Sequence, residues 1–332
     1  MHNGAVSVPL TNVHARALGL VLGLGLDRML GDPTRFHPVA GFGHVALGVE
    51  RALYRDSRWA GALYTGVLVG GTVCGGVVAA QAARRSGPLV ETAAVAAAVW
   101  ATLGGTSLAR TGARMSHHLA CDDLPAAREL LPSLCGRDPA VLDGDGLARA
   151  SLESVAENTS DATVGVVFWG AFAGVPGIVG YRAANTLDAM VGYRSSRYQR
   201  FGWAAARFDD VVNLLPARLT GVLTVALAPA VGGRPRDAMR AWRRDAPRHP
   251  SPNAGVAEAT AAGALGVSLG GRTEYAHGVE IRPTLGRGRP PTASDLDRAA
   301  ALSRLVQIAA TLVSAFLAVA VGQANVVHRR RS

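Results

Sequence analysis

Lysine is missing from this chain: all 34 basic side chains among its 332 residues are arginine. Without an ε-amine there is no phosphate-loop lysine, no Schiff base and no lysyl acyl carrier, whatever the glycine pattern suggests. A GC-rich coding bias accounts for the replacement more simply than selection does. Cysteine is almost missing as well. Cys74, Cys121 and Cys135 stand apart with no CxxC pair, which supports neither a zinc site nor a disulfide framework. Charged residues make up 17% of the chain and apolar ones 49%, too few ionised groups to cover ordinary soluble domains. Aromatics are scarce, and the arginines behind the net charge of +10 are spread over polar segments with few aromatics between them. No nucleic-acid module is recognisable in that pattern; membrane lipid and anionic substrates are the better partners. The first apolar run is short, glycine-rich and followed at once by Asp27 and Arg28, so no cleavable signal peptide is expected.

What the chain does have is long runs without charge. Segments 59–83, 92–109, 162–181, 215–233 and 305–327 are the candidates for crossing about 30 Å of hydrocarbon as helix, while 17–26 is marginal. The expected fold is therefore all-α: a single polytopic membrane domain over 1–332 with about five transmembrane helices and helical polar loops. Arg84, Arg85, Ser86, Gly87 and Pro88 form a break too short to do anything but turn the chain back. A soluble helix is expected after Asp122 and Asp123, with Leu130 and Leu131 following that start. Met239 and Trp242 share one face of an arginine-rich segment, the pattern of a helix lying on an anionic membrane surface. Segments 28–58, 110–161 and 234–304 carry the larger share of the arginines, which favours the cytoplasm for them. The tail of Arg329, Arg330 and Arg331 argues the other way, an inconsistency that one re-entrant span removes.

Polar side chains at membrane depth are costly and tend to be functional, and between Glu153 and Arg218 they are dense. Glu153, Glu157 and Asp161 follow at four-residue steps, which on a regular helix puts three carboxylates on one face, repelling one another unless a cation joins them. Mg²⁺ prefers one or two carboxylates together with phosphate oxygens. Asn185 with Asp188, and Asp209 and Asp210 with Asn213, repeat the oxygen-donor theme at three- and four-residue spacing. Between them lie Tyr193, Arg194, Arg197, Tyr198 and Arg200, guanidinium groups suited to phosphate among aromatic rings. Gly31, Asp32, Pro33, His37 and Pro38 near one end, and His249, Pro250, Ser251, Pro252 and Asn253 near the other, are turns stiffened by proline that present polar side chains.

These segments together resemble the CobD/CbiB family, adenosylcobinamide-phosphate synthases of cobalamin biosynthesis, over most of the chain. The resemblance rests on Gly31-Asp32-Pro33 with His37-Pro38, the run Glu153 to Asp161, Tyr181 through Asn185 to Arg194, Phe201 to Trp203 with Arg207 to Asp210, Asn213 with Pro216 to Arg218, and His249 to Asn253. Thr163 and Val164 stand where glycine and valine or isoleucine are expected, and Ser195 and Ser196 replace a charged pair. No carboxylate or amide is lost by these departures.

The resemblance implies an acid–amine ligase that attaches aminopropanol, or its phosphate, to a propionate of adenosylcobyric acid through an amide bond, with ATP consumed. Such chemistry calls for ATP, Mg²⁺, neutralisation of a transferring phosphoryl group and an uncharged amine. Glu153, Glu157, Asp161, Asp209 and Asp210 are then the expected metal ligands. Arg194, Arg197 and Arg218 are expected on phosphate, and Asn158, Asn185, Asn213 and Asn253 on amide or carboxylate groups. His37 and His249 are the candidates for taking the amine proton, and Tyr193, Tyr198 and Trp203 for stacking on adenine or the corrin rim. The cytoplasmic face of the cell membrane is the expected location, with other late cobalamin enzymes as candidate neighbours. Two further readings fit parts of the pattern. A Mg²⁺-dependent membrane prenyltransferase would use the Asp- and Asn-rich segments but has no place for the run from Glu153 or the turn from His249. A membrane transporter would use intramembrane charge but lacks an internal repeat.

Overall fold

The computed structural model describes residues 12–33, 37–193, 195–275 and 278–331. Its helices in chain order are α1 (Asn12–Leu30), α2 (Pro38–Leu53), α3 (Arg58–Arg85), α4 (Pro88–Leu103), α5 (Gly105–Ala120), α6 (Leu124–Leu130), α7 (Gly144–Asn158), α8 (Gly165–Ala173), α9 (Val175–Leu187), α10 (Tyr198–Phe201), α11 (Trp203–Val212), α12 (Leu214–Leu227), α13 (Pro235–Asp245), α14 (Ala254–Leu265) and α15 (Ala293–Arg331). Starts follow local chemistry: the carboxylates of Asp123 and Asp143 accept from backbone N–H groups in the first turns of α6 and α7, and Pro88 sits in the first turn of α4.

The chain is an all-α polytopic membrane protein. Four stretches are long and apolar enough to cross a membrane: Arg58–Arg85, Pro88–Ala120, Leu214–Val231 and Ala293–Ala324. They coincide with four of the five expected spans. Trp59, Val78 and Phe316 project from them as exposed apolar side chains, as a lipid-facing surface requires.

The fifth expected span, 162–181, is not one helix. At Gly174 the backbone takes φ +64° and ψ −142°, a conformation open to glycine, and the run folds back as the antiparallel pair α8 and α9. The nine residues of α8 rise about 14 Å, half a bilayer core, so the uncharged run forms a hairpin instead of a crossing. Its two arms touch closely: a Cβ on Gly165 would fall within the Tyr181 ring. Gly165→Ala is expected to displace that ring and cost about 1–3 kcal/mol, read as a lower thermal midpoint of the detergent-solubilised protein; an unchanged midpoint would contradict the close packing.

Wide helical turns of the π type sit at both feet of this hairpin, Thr159–Val164 before α8 and Asp188–Gly192 after α9. Such turns re-aim side chains and frequently occur at functional sites. The main apolar core is built from α1, α4, α5, α7, α8, α14 and α15, with Leu20, Val99, Leu152, Val166 and Leu296 fully buried or nearly so. A second core joins α2, α3, α9 and α10 through Ala46, Tyr64, Leu187 and Phe201.

One feature lies outside the helical expectation. β1 (Leu269–Tyr275) and β2 (Gly278–Leu285) pair antiparallel, with Leu269 opposite Leu285, Gly271 opposite Arg282 and a bulge between Leu269 and Gly271. This hairpin returns Arg282 to the helices.

Candidate active site

Five carboxylates from three separated segments converge. Glu157 lies in the last turn of α7, Asp161 in the first wide turn, Asp188 opens the second, and Asp209 and Asp210 sit on α11. Asp161 lies in the field of Asp209, Glu157 and Asp188, and Asp188 in that of Asp209, Asp210 and Glu157. Burial, reinforced by these like charges, pushes the Asp188 carboxyl up to about 7. Burial pushes that of Asp209 up to about 6, and Glu157 and Asp161 shift upward for the same first reason.

Amides and one phenol hold the cluster together. Fully buried Asn213 donates from Nδ2 to Asp209 Oδ2 at 3.0 Å. The Tyr181 hydroxyl bridges Asn213 Oδ1 at 2.7 Å and the Asp161 carbonyl at 2.8 Å. Asn185 also hydrogen-bonds Asp209 and accepts from Arg182 Nη1 at 3.5 Å. One carboxylate oxygen of Asp161, one of Asp209 and the Nε of Arg182 are buried without a hydrogen-bond partner. Native interiors leave few such groups, and two carboxyl oxygens beside a cationic donor are what a bound ion or phosphate would satisfy.

Arg182 links this cluster to the Gly31-Asp32-Pro33 element, lying within electrostatic reach of both Asp32 and Asp161. Arg182 and Asp32 line a polar cavity of about 200 Å³ together with Ser107, Thr111, Ser133 and Asn158. Asn158, on the wall of the same cavity, donates from Nδ2 to the Ser154 carbonyl at 3.0 Å.

Other expected site residues are drawn elsewhere. Glu153 is nearly fully buried, but not as a ligand in waiting: it pairs with Arg137, accepts from Gly270 N at 2.7 Å and from Arg282 Nη1 at 3.4 Å. His249 joins that second network beside Glu258 at 3.7 Å and against Arg282. Its Nδ1 faces the Ser251 backbone, and burial with Arg282 pushes its imidazole down to about 4. A ring so occupied does not suit a proton acceptor. Arg218 donates to Asn253 Oδ1 at 2.7 Å while Asn253 donates to the Asp210 carbonyl at 2.8 Å, so this pair braces α11 against the turn before α14. Arg197 is held by buried Glu50 at 2.9 Å and stacks 4.0 Å from the Tyr54 ring, leaving it a structural partner rather than a phosphate clamp. His37 caps α2 through its Nδ1. Tyr193 packs edge-on against Tyr198 and Trp203 lies under Arg58; Tyr193 and Trp203 are both exposed. Arg194 lies outside the described residues.

Sequence reasoning missed Arg182 and Asp32 as a wall of the cavity, and it noted Asp188 as an oxygen donor without counting it among the metal ligands, although Arg182, Asn185 and Asp188 recur at three-residue steps along α9 and into the turn that follows it. It also missed Arg137, Glu258 and Arg282. Among the described residues, no three His, Cys, Asp or Glu side chains stand close enough to hold a metal ion by themselves; any metal here would complete its shell with substrate oxygens or water.

The raised Asp188 carboxyl has a definite sign in stability. Unfolded, it loses its proton near its usual value of about 4; folded, it keeps it to about 7. Between those values the folded state binds more protons, so this group's contribution is full below about pH 4 and is lost as pH rises through 7. His249, held neutral down to about 4, acts oppositely between about pH 4 and its ordinary value of about 6.5. The difference between wild type and Asp188→Asn isolates the carboxyl: the wild-type midpoint is expected to fall relative to the variant between about pH 4 and 7, and parallel profiles would refute it.

Residues 20–303 match the family model described as CobD/Cbib protein. The chain is 58% identical over 316 residues to the cobalamin biosynthesis protein CobD of Mycobacterium tuberculosis (strain CDC 1551 / Oshkosh), covering 95% of this chain and 97% of that protein. It is 45% identical over 291 residues to the protein of the same description from Chromobacterium violaceum, covering 86% and 91%. With that of Rhodobacter capsulatus the identity is 40% over 309 residues, covering 90% and 96%. No solved structure matches the chain. With the match spanning the Gly31-Asp32-Pro33 wall of the polar cavity, both wide turns and the second ionic network, the chain belongs to the CobD/CbiB family.

Proposed function

We propose that this protein is a membrane-embedded acid–amine ligase of cobalamin biosynthesis. It joins aminopropanol or its O-phosphate to the propionate of adenosylcobyric acid, consuming ATP, with its site on the cytoplasmic side of the cell membrane, where ATP is supplied. The observation that carries the reading is the set of buried, unpartnered polar atoms on Asp161, Asp209 and Arg182, beside a cavity of about 200 Å³.

Those donors fit Mg²⁺ in the form it takes with nucleotides, one or two carboxylates and the rest phosphate or water. Asp161 and Asp209 would hold it, and it would neutralise charge on the phosphates of ATP. Arg182 presents a planar fork of N–H donors to phosphate or carboxylate oxygens, steadying the charge that grows as the propionate oxygen takes the terminal phosphoryl group and ADP leaves. Asp32, on the same cavity wall as Arg182, attracts the substrate ammonium. Attack by the amine on the activated carbonyl forms the C–N bond and expels phosphate, and the surplus proton needs an acceptor that titrates near neutrality. With its carboxyl at about 7, Asp188 suits that role better than His249. Burial of the cluster keeps water from the activated acyl group.

The test is direct. Purified protein incubated with adenosylcobyric acid, ATP, Mg²⁺ and each amine in turn should yield, by mass spectrometry, a corrinoid heavier by the amine less one water, with one ADP per product. Diphosphate release from a prenyl diphosphate, or corrinoid uptake into vesicles without covalent change, would overturn the proposal.

A further inference from the structure

A cavity larger than that of the carboxylate site lies between α12, α13 and the His249-Pro-Ser-Pro-Asn turn. It measures about 570 Å³, with Arg218, Val222, Met239, Trp242, Arg243 and His249 on its walls. This volume is within the range of small-molecule sites, about 300–1,000 Å³. We propose that it is a headgroup site for an anionic phospholipid.

Three observations converge on that ligand. The first is charge: the walls carry two arginines and no carboxylate. His249 is held neutral, and among the described residues no hydrogen bond or ion pair engages the exposed Arg243. The second is the apolar share of the lining. Trp242 packs where α12 has Gly221, and Met239, Val222 and prolines complete a wall that suits the glycerol and upper acyl region of a lipid rather than a fully hydrated ion. The third is position. Val222 is 53% exposed on a helix long and apolar enough to span the membrane, so the cavity opens on the lipid-facing side of that span. A ligand already in the bilayer enters without leaving it.

Helix α13 is built for this. Its buried residues Ala238, Ala241 and Asp245 face the bundle, and Met239, Trp242 and Arg243 lie on the cavity side, rotated from them by helical spacing. Asp245 is locked to Arg244 at 2.6 Å and accepts from Gly286 N at 2.9 Å, which fixes the helix and leaves Arg243 to the ligand.

Protein extracted from vesicles of equal phosphatidylglycerol and phosphatidylcholine and examined by native mass spectrometry should retain phosphatidylglycerol in preference, by about 25-fold for two arginines on the walls. One arginine beside an anionic lipid is worth about fivefold, so Arg243→Gln should lower that retention by about that factor. Arg240→Gln makes the same charge change on the same helix, where Arg240 pairs with Asp237 at 3.3 Å and does not line the cavity, and should leave retention unchanged. Equal retention of the two lipids, equal losses in both variants, or one-for-one displacement of the lipid by adenosylcobyric acid would each overturn the proposal. The readout is lipid mass, so the outcome stands apart from whether the protein is a ligase.

Discussion

Asp161→Asn is expected to cut corrinoid amidation at least 100-fold while raising the thermal midpoint of the protein. The activity loss follows from the proposed role: an amide offers a neutral oxygen where a metal and phosphates need an anion, and removing one such electrostatic element typically costs about 10²–10³ in rate. The stability gain follows from what the structure shows of the same side chain. Asp161 is pushed well above the usual carboxylate range by burial and by Asp209, Glu157 and Asp188, and one of its oxygens has no partner. An isosteric neutral group relieves repulsion at no cost in volume. Opposite signs in the two measurements are the signature of a site kept for function against stability. Paired amidation assays and thermal scans at about pH 8, above the usual carboxylate range, test both; a variant less stable than wild type, or fully active, would remove Asp161 from the site.

The second large effect lies in the other ionic network. Arg282→Ala should destabilise the protein by about 3–5 kcal/mol, the range for stranding buried charge. Arg282 is the shared cation of Glu153 at 3.4 Å and Glu258 at 3.3 Å, and Glu258 already has one buried oxygen without a partner. Burial drives Glu258 toward its neutral form, so adding Glu258→Gln to Arg282→Ala should restore part of the loss. Denaturant titration of the solubilised protein measures it. A double variant no more stable than the single one would show that Glu258 is not what Arg282 neutralises.

Four of the five spans were legible because a bilayer demands a length of uncharged helix that little else in a chain supplies. Composition misreads 162–181 because it treats Gly174 as one more small residue, whereas its positive φ turns the run around. The convergence of Glu157, Asp161 and Asp209 was legible from acidic spacing just outside apolar runs. The exclusion of Glu153 was not. On a regular helix Glu153, Glu157 and Asp161 share a face, but the chain passes into a wide turn at Thr159, and the strand residue that claims Glu153 is 129 positions away. Arg182 was hidden by its place at the end of an apparent membrane run. No local pattern marks an arginine whose partners, Asp32 and Asp161, come from segments far apart in the chain.

The hairpin of α8 and α9 sets a limit on how this chain can change. Asp161 stands just before one arm and Asp188 just after the other, so both acids are aimed by the helical phase of a short closed circuit through Gly174. Inserting a single residue in either arm would rotate one acid by about 100° relative to the other. Lengthening the tip at Gly174 would leave both untouched. Working members of this lineage should therefore vary in length at that bend, and hold their residue count fixed between it and each carboxylate.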